Sequence, residues 1–239
     1  MATRQKIRIG LVLFSFFLFP ATFYYMSPVL IIEATYGGIV NGSFIIFVSL
    51  FLSALVVGRG FCGWICPGAG CQEAIMQVRN GRIKKGNWVK WIIWVPWIGA
   101  IVLLAVKTGG YRTIDFFFQT KHGLSIGDVY ALMVYLFVLM LIVIPAFTVG
   151  RRSFCHHICW MAPFMIIGRA IRNRFKWRAL ILNPDVDKCV ACHVCTKNCP
   201  MSLEVEEMVK KNDMSDSECI LCGVCIDNCK KGVIRYSFD

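Results

Sequence analysis

The chain has 239 residues, 57% of them hydrophobic, 13% aromatic and only 17% charged. Soluble domains carry about 25% charged residues, so the composition excludes an ordinary soluble domain and points to a membrane protein. The formal net charge of +12 does not signal a nucleic-acid partner: residues 1–179 hold 19 Lys and Arg against Glu33, Glu73, Asp115 and Asp128, while residues 180–239 hold seven against ten acids. Basic charge therefore flanks apolar segments, where it meets the lipid bilayer and its anionic headgroups.

In chain order, four segments are long and apolar enough to span a bilayer: about residues 7–24, 39–57, 91–106 and 129–149. Pro20, Pro96 and Pro145 fall within these runs and predict kinks. Arg4, Lys6 and Arg8 resemble a signal-peptide n-region. The apolar run is longer than a typical h-region and no small-x-small site follows, so an uncleaved span is expected. Lys and Arg are absent from residues 25–38, number six in residues 58–90 (Arg59, Arg79, Arg82, Lys84, Lys85, Lys90), three in residues 107–128, and fourteen after Gly150. The positive-inside rule then puts both termini and the loop around Cys62 on the cytoplasmic side of a prokaryotic inner membrane. Residues 161–177 mix Phe164, Met165, Ile166 and Ile167 with Arg169, Arg172, Arg174 and Lys176. They read either as an amphipathic interfacial helix or as a linker. Trp88, Trp91, Trp94 and Trp97 read as an interfacial aromatic belt.

Two internal repeats carry the chemistry. Phe61-Cys62-Gly63-Trp64-Ile65-Cys66 recurs as Phe154-Cys155-His156-His157-Ile158-Cys159, each after a pair of predicted spans. Repeats in this parallel arrangement are related by an axis along the membrane normal, which puts both cysteine pairs on one side. Cysteines four apart share a helix face, so Cys62, Cys66, Cys155 and Cys159 offer four thiolates for a third iron–sulfur centre. The competing reading is that they are small buried hydrophobes at helix ends. Cys71 is a spare.

The second repeat is Cys189-x-x-Cys192-x-x-Cys195-x-x-x-Cys199-Pro200, followed by Cys219-x-x-Cys222-x-x-Cys225-x-x-x-Cys229. This is the bacterial ferredoxin run in duplicate, in which the fourth cysteine of each run ligates the other cluster. The expected ligands are Cys189, Cys192, Cys195 and Cys229 for one [4Fe–4S] cluster, and Cys199, Cys219, Cys222 and Cys225 for the other. Zinc is the competing metal for Cys-x-x-Cys pairs, but the third and fourth cysteines suit a cubane better.

The histidines argue against haem. His122 lies in a predicted outer loop, His156 and His157 at the inner end of a span, and His193 inside the ferredoxin run. None is mid-span, where a bis-His haem needs its ligands. His156 and His157 are candidates for a quinone, or are merely interfacial. No carboxylate pair or nucleophile–base set is visible, so no catalytic residue is assigned.

Four spans, Cys62-x-x-x-Cys66-Pro67, Cys155-x-x-x-Cys159 and a two-cluster C-terminal run resemble the NapH/MauN group of membrane iron–sulfur proteins, which shares its membrane core with the NosR type. Trp160 stands where that group usually has proline. The resemblance implies an electron conduit in the cytoplasmic membrane, with quinol as donor or acceptor and a partner oxidoreductase or electron carrier. Together these readings predict an all-α membrane domain over residues 1–179 and an α+β ferredoxin domain over residues 180–239. The chain reads as an electron-transfer subunit rather than a stand-alone enzyme. A redox sensor and a maturation factor for another metalloenzyme are the alternatives, and duplicated clusters favour a wire.

Overall fold

Helix α1 (Thr3–Phe17) gives way at Leu18 to α2 (Phe19–Thr22) and a 3-10 turn (Phe23–Met26), which together leave it at 59°. Pro20, in the first turn of α2, lacks an N–H and crowds the carbonyl four residues back. The span expected over residues 7–24 is therefore a bent pair. The computed structural model describes residues 2–83 and 86–239; Lys84 and Lys85, two of the basic residues counted above, lie outside the described residues.

Ser27 and Asn41 cap the next two helices, α3 (Pro28–Tyr36) and α4 (Gly42–Val57), by accepting from the Leu30 and Phe44 N–H groups. Such caps satisfy donors that a helix start leaves free. The span expected over residues 39–57 opens as a strand, β1 (Ile39–Asn41). It pairs in parallel with β2 (Thr113–Asp115). That leaves α4 with 16 residues, short of the roughly 20 that cross a bilayer unaided.

Short helices follow each pair of long ones. Helices α5 (Gly60–Trp64) and α6 (Pro67–Met76) come after α4. Then α7 (Val89–Lys107) and α8 (Val129–Thr148) are each long and apolar enough to cross a membrane, with Pro96 and Pro145 inside them. Asp128 caps α8 by accepting from Ala131 at 2.8 Å. Helices α9 (Ser153–His157) and α10 (Ala162–Phe175) close the helical part.

Beside an apolar core, this part encloses charged side chains and turns large apolar ones outward. Among its largest fully buried side chains are Arg8, Arg59, Lys90, Arg152 and Arg169, while Phe14, Phe17, Leu103, Val106 and Phe137 are exposed. In water the apolar groups would be inside; a lipid exterior reverses the preference. The helix after each cysteine motif lies on the second long helix of the other repeat, α6 on α8 and α10 on α4. Gly168 sits at the α10–α4 crossing, where a Cβ would stand 2.9 Å from the Ala54 Cβ. Gly70 lets α6 approach α1, and a Cβ there would collide with the Val12 carbonyl. The segment expected to be interfacial is thus α10, with Met165, Ile166, Arg169 and Arg172 buried. Trp94 and Trp97 of the expected aromatic belt pack edge-on against Phe164 of α10, at 5.3 and 6.0 Å between ring centroids.

In the C-terminal part, β3 (Leu180–Pro184) pairs antiparallel with β4 (Ile234–Phe238), from Leu180↔Phe238 to Pro184↔Ile234. This ladder ties the two ends of the domain. Between them run α11 (Val194–Asn198), α12 (Val205–Lys210) and α13 (Val224–Asp227). Arg169 donates to the Leu180 carbonyl at 3.0 Å and Arg172 to the Asp239 carbonyl, so α10 holds both strands.

Candidate iron–sulfur sites

The two C-terminal cysteine loops share one backbone pattern. Ala191 and His193 have φ of 52° and 58°; Leu221 and Gly223, at the matching positions, have 50° and 72°. Left-handed residues of this kind are strained for anything but glycine. Interspersed with right-handed ones they turn successive N–H groups inward, the nest that receives anions and Fe–S sulfurs.

Cys189, Cys192, Cys195 and Cys229 line one cavity, of about 340 Å³. Cys199, Cys219, Cys222 and Cys225 line a second, with Met201, Leu203 and Met208 among its apolar walls. Each cavity thus meets three cysteines of one run and the last of the other. Cys199 is the capping residue after α11, and Cys229 follows Asn228, the capping residue after α13. The fourth cysteines therefore stand just beyond the short helices rather than on them. Burial pushes the Cys199 thiol up to about 12 and Cys219 up to about 11. Such thiols give up their protons only when a metal takes the charge. Among the described residues no three His, Cys, Asp or Glu side chains converge as a single bound ion would need.

The helical part gathers a third set. The Ile65 and Cys66 N–H groups both donate to the Phe61 carbonyl at 2.9 Å; Ile158 and Cys159 repeat this on Phe154 at 3.0 and 2.9 Å. Identical turns bring Cys62, Cys66, Cys155 and Cys159 into mutual electrostatic contact, all four buried. Burial raises Cys66 well above its ordinary value and Cys159 to about 12. Cys66 immediately precedes α6, where its carbonyl accepts the Ala69 N–H at 3.1 Å, and Cys159 stands three residues before α10. Gln72 donates to the Cys155 sulfur at 3.3 Å. Cys71 is buried on α6.

Two arginines, from the glycine and basic residues that precede each copy of the motif, complete this set. Arg59 and Arg152 each stand three residues before the first cysteine of their motif, and each is fully buried. Arg59 reaches Glu218 at 2.5 Å, which also holds Lys90 at 2.5 Å. Arg152 reaches Glu73 at 2.5 Å, which also holds Arg8 at 2.8 Å. Burial alone would raise Glu73; Arg152 and Arg8 outweigh it and hold the carboxyl at about 2. Four enclosed cations (Arg8, Arg59, Lys90, Arg152) less two carboxylates (Glu73, Glu218) leave a surplus of two positive charges. Four thiolates around a doubly charged cubane core carry two negative charges, so the donor set and its surroundings fit a cluster. The repeated arginine was the signal available in the sequence; the glutamates had none, because they come from elsewhere in the chain.

The second C-terminal loop sits directly on the first cysteine motif. Trp64 donates to the Leu221 carbonyl at 3.0 Å, Gln5 to the Cys222 carbonyl at 3.0 Å, and a Cβ on Gly63 would collide with the Ile220 carbonyl. Arg152 lies within electrostatic reach of both Cys155 and Cys222. Arg151 donates to the Lys197 and Cys199 carbonyls at 3.0 and 3.1 Å. His156 is buried with Nδ1 2.5 Å from the Asn87 side-chain oxygen and Nε2 unpartnered among the described residues, and it lines a cavity of about 1150 Å³ with Asn87, Trp88, Met201 and Met208. Nδ1 of His157 meets the Ser153 carbonyl at 2.9 Å.

Comparison with known proteins agrees with the cysteine pattern. Residues 42–86 and 130–178 match the family described as a 4Fe-4S binding domain, and residues 181–230 match that described as a 4Fe-4S dicluster domain. The chain carries ferredoxin-type 4Fe–4S domains, together with helices apolar enough to cross a membrane. Its similar curated proteins include two uncharacterized proteins of Methanocaldococcus jannaschii. One is 27% identical over 196 residues, covering 77% of this chain and 66% of the relative. The other is 23% identical over 171 residues, covering 70% and 68%. The chain spans about two thirds of the length of each. No solved structure matches it.

Proposed function

We propose that the chain is a membrane-bound electron relay of the NapH/MauN type, in which three sets of four cysteines hold three iron–sulfur centres in series. When bound, such clusters supply one-electron transfer at a potential set by burial and hydrogen bonds. The residues order the series. Cys62, Cys66, Cys155 and Cys159 form the inner set, Cys199, Cys219, Cys222 and Cys225 the proximal set, and Cys189, Cys192, Cys195 and Cys229 the distal set. The observation that carries the reading is the seating of Ile220–Cys222 on Gly63 and Trp64, which joins the inner and proximal sets through one packed contact. Arg59 and Arg152 offset the inner set's negative charge, and the exposed Cys192 gives the distal set its way out. A sensor needs one such set; three in line favour a conduit over the regulatory and maturation readings.

Four membrane crossings belong to this reading: α1 with α2, the short α4, α7 and α8, with both termini cytoplasmic. A quinone is proposed at His156. Burial pushes that imidazole down to about 3, so it is neutral in solution, with Nδ1–H given to Asn87 and Nε2 free to accept. The large cavity beside it has room for a redox-active ring. Reduction of the bound iron by a quinol analogue, lost in His156→Phe, supports the site; unchanged reduction removes it.

Iron and acid-labile sulfide per chain, with low-temperature EPR of anaerobically purified protein, tests the relay. About twelve irons are expected, falling to about eight in Cys62→Ser with Cys155→Ser while the ferredoxin signals persist. About eight irons in the unaltered chain would remove the inner centre and return its cysteines to packing.

A further inference from the structure

The two halves of the inner cysteine set are matched in their cations, Arg59 bearing on Cys62 and Arg152 on Cys155. They differ in one further contact. In each copy of the repeat, the residue six places after the second cysteine reaches the first cysteine of the other copy. Gln72, six after Cys66, donates from Nε2 to the Cys155 sulfur at 3.3 Å. Met165, six after Cys159, holds its Sδ 3.8 Å from the Cys62 sulfur. The crossing follows from the helices that carry them, α6 for Gln72 and α10 for Met165. Both side chains are fully buried.

The other partners of Gln72 settle which end of its amide faces Cys155. Its oxygen accepts the Phe154 N–H at 3.1 Å, and its nitrogen also donates to the Gly68 carbonyl at 3.0 Å. A backbone N–H only donates and a carbonyl only accepts, so a flipped amide would break both bonds. One amide hydrogen is then left for the sulfur. Met165 offers a thioether, which has lone pairs and no proton. A free Cys62 thiol can donate to it; a metal-bound thiolate has nothing to donate. Once iron is held, Cys155 keeps an amide donor where Cys62 keeps a polarisable apolar neighbour.

We infer that Gln72 is a positioning residue that raises the reduction potential of the inner centre through its hydrogen bond to Cys155, and that Met165 withholds the matching bond from Cys62. This rests on the relay reading of the four inner cysteines. An electron received from the proximal set, which is oxidised in turn, adds negative charge to the inner sulfurs. An N–H donor therefore stabilises the reduced form more than the oxidised one. No bond forms or breaks, and no proton moves with the electron.

The test is an EPR-monitored redox titration of the full chain, loaded anaerobically and held in nanodiscs. The inner signal is the one that Cys62→Ser with Cys155→Ser removes. Gln72→Met copies the other half and should lower the inner potential. The oxidised-to-reduced ratio at a fixed solution potential should change about tenfold, or ~59 mV for one electron. Met165→Gln, which leaves every contact of Gln72 in place, should raise the potential. Making both changes together should bring it back toward the parent value, a rescue that a merely structural role would not give. Pulsed EPR of reduced protein with isotope-labelled glutamine amides should show a nitrogen coupling that Gln72→Met loses. The proposal is overturned if the inner potential is the same in parent and Gln72→Met, or if Met165→Gln fails to raise it. It is also overturned if Gln72→Met alone loses the inner iron, which would make Gln72 a brace for the cysteines. Iron content separates the two readings: about eight irons in the unaltered chain defeats the inner centre itself, and about twelve with unmoved potentials defeats only the tuning.

Discussion

Glu73 accepts from Arg8 at 2.8 Å and from Arg152 at 2.5 Å, so one carboxylate joins α1 and the segment before α9 to α6. Removing one member of a buried ionic group leaves the others uncompensated, at a cost of about 3–5 kcal/mol. Glu73→Gln should therefore lower the thermal unfolding temperature of the detergent-solubilised protein. The pH dependence has a definite sign. The folded carboxyl sits at about 2, below its ordinary 4.5, so its contribution is complete above that ordinary value and fades as pH falls toward 2. The gap between variant and parent should hence be flat from pH 6 to 8; a gap that grows with pH across that range would refute the assignment. At this scale the sequence announced the cysteines, because tight spacing is local information. It was silent on Glu73 and Glu218, whose partners lie 65–159 residues away, and only spatial packing reveals a pairing of that kind.

Elements were legible where one property dominates. Helices α7 and α8 follow their expected apolar runs within a residue or two, since lipid-facing helices show uninterrupted hydrophobicity. The first segment bends by 59° near the Pro20 that predicts a kink, and the second yields a helix shorter than its apolar run. Pro20 and Leu18 break one, and the pairing of β1 with β2 takes three residues from the other. That pairing joins positions more than 70 residues apart, which no local window contains. Close approaches between elements hinge on glycine. Gly63→Ala would push a methyl into the Ile220 carbonyl and lift the proximal loop from α5. Expected outcomes are faster proteolytic release of the C-terminal domain and a weaker magnetic interaction between the inner and proximal centres in EPR, with iron content retained. Gly10, whose Cβ would meet nothing within 4 Å, is the control: Gly10→Ala should change neither.

For the whole molecule, the charge split between the halves was plain from composition, but its use was not. The basic half and the acidic half meet, and Arg59, Lys90, Arg82 and Arg4 consume acids of the other part. What a domain shows to a partner is the remainder after such pairing, not its total. The proposed orientation predicts that single cysteines placed at Lys6 and Ser237, in a background keeping the cluster ligands, react with a membrane-impermeant maleimide from the same side. One placed at Thr120, between α7 and α8, should react from the other. Labelling of Lys6 and Ser237 from opposite sides would break the four-span topology.

The inner set has an evolutionary consequence. One copy of the repeat brings two cysteines and one arginine, half of what a centre needs. An unduplicated ancestor would thus have closed that centre only as a symmetric homodimer, with the metal on its twofold axis. Two copies in one chain need not be alike, and their anchors differ: Arg152 rests on Glu73 from the hydrophobic half, Arg59 on Glu218 from the C-terminal domain. A pair alike in motif thus has a front and a back.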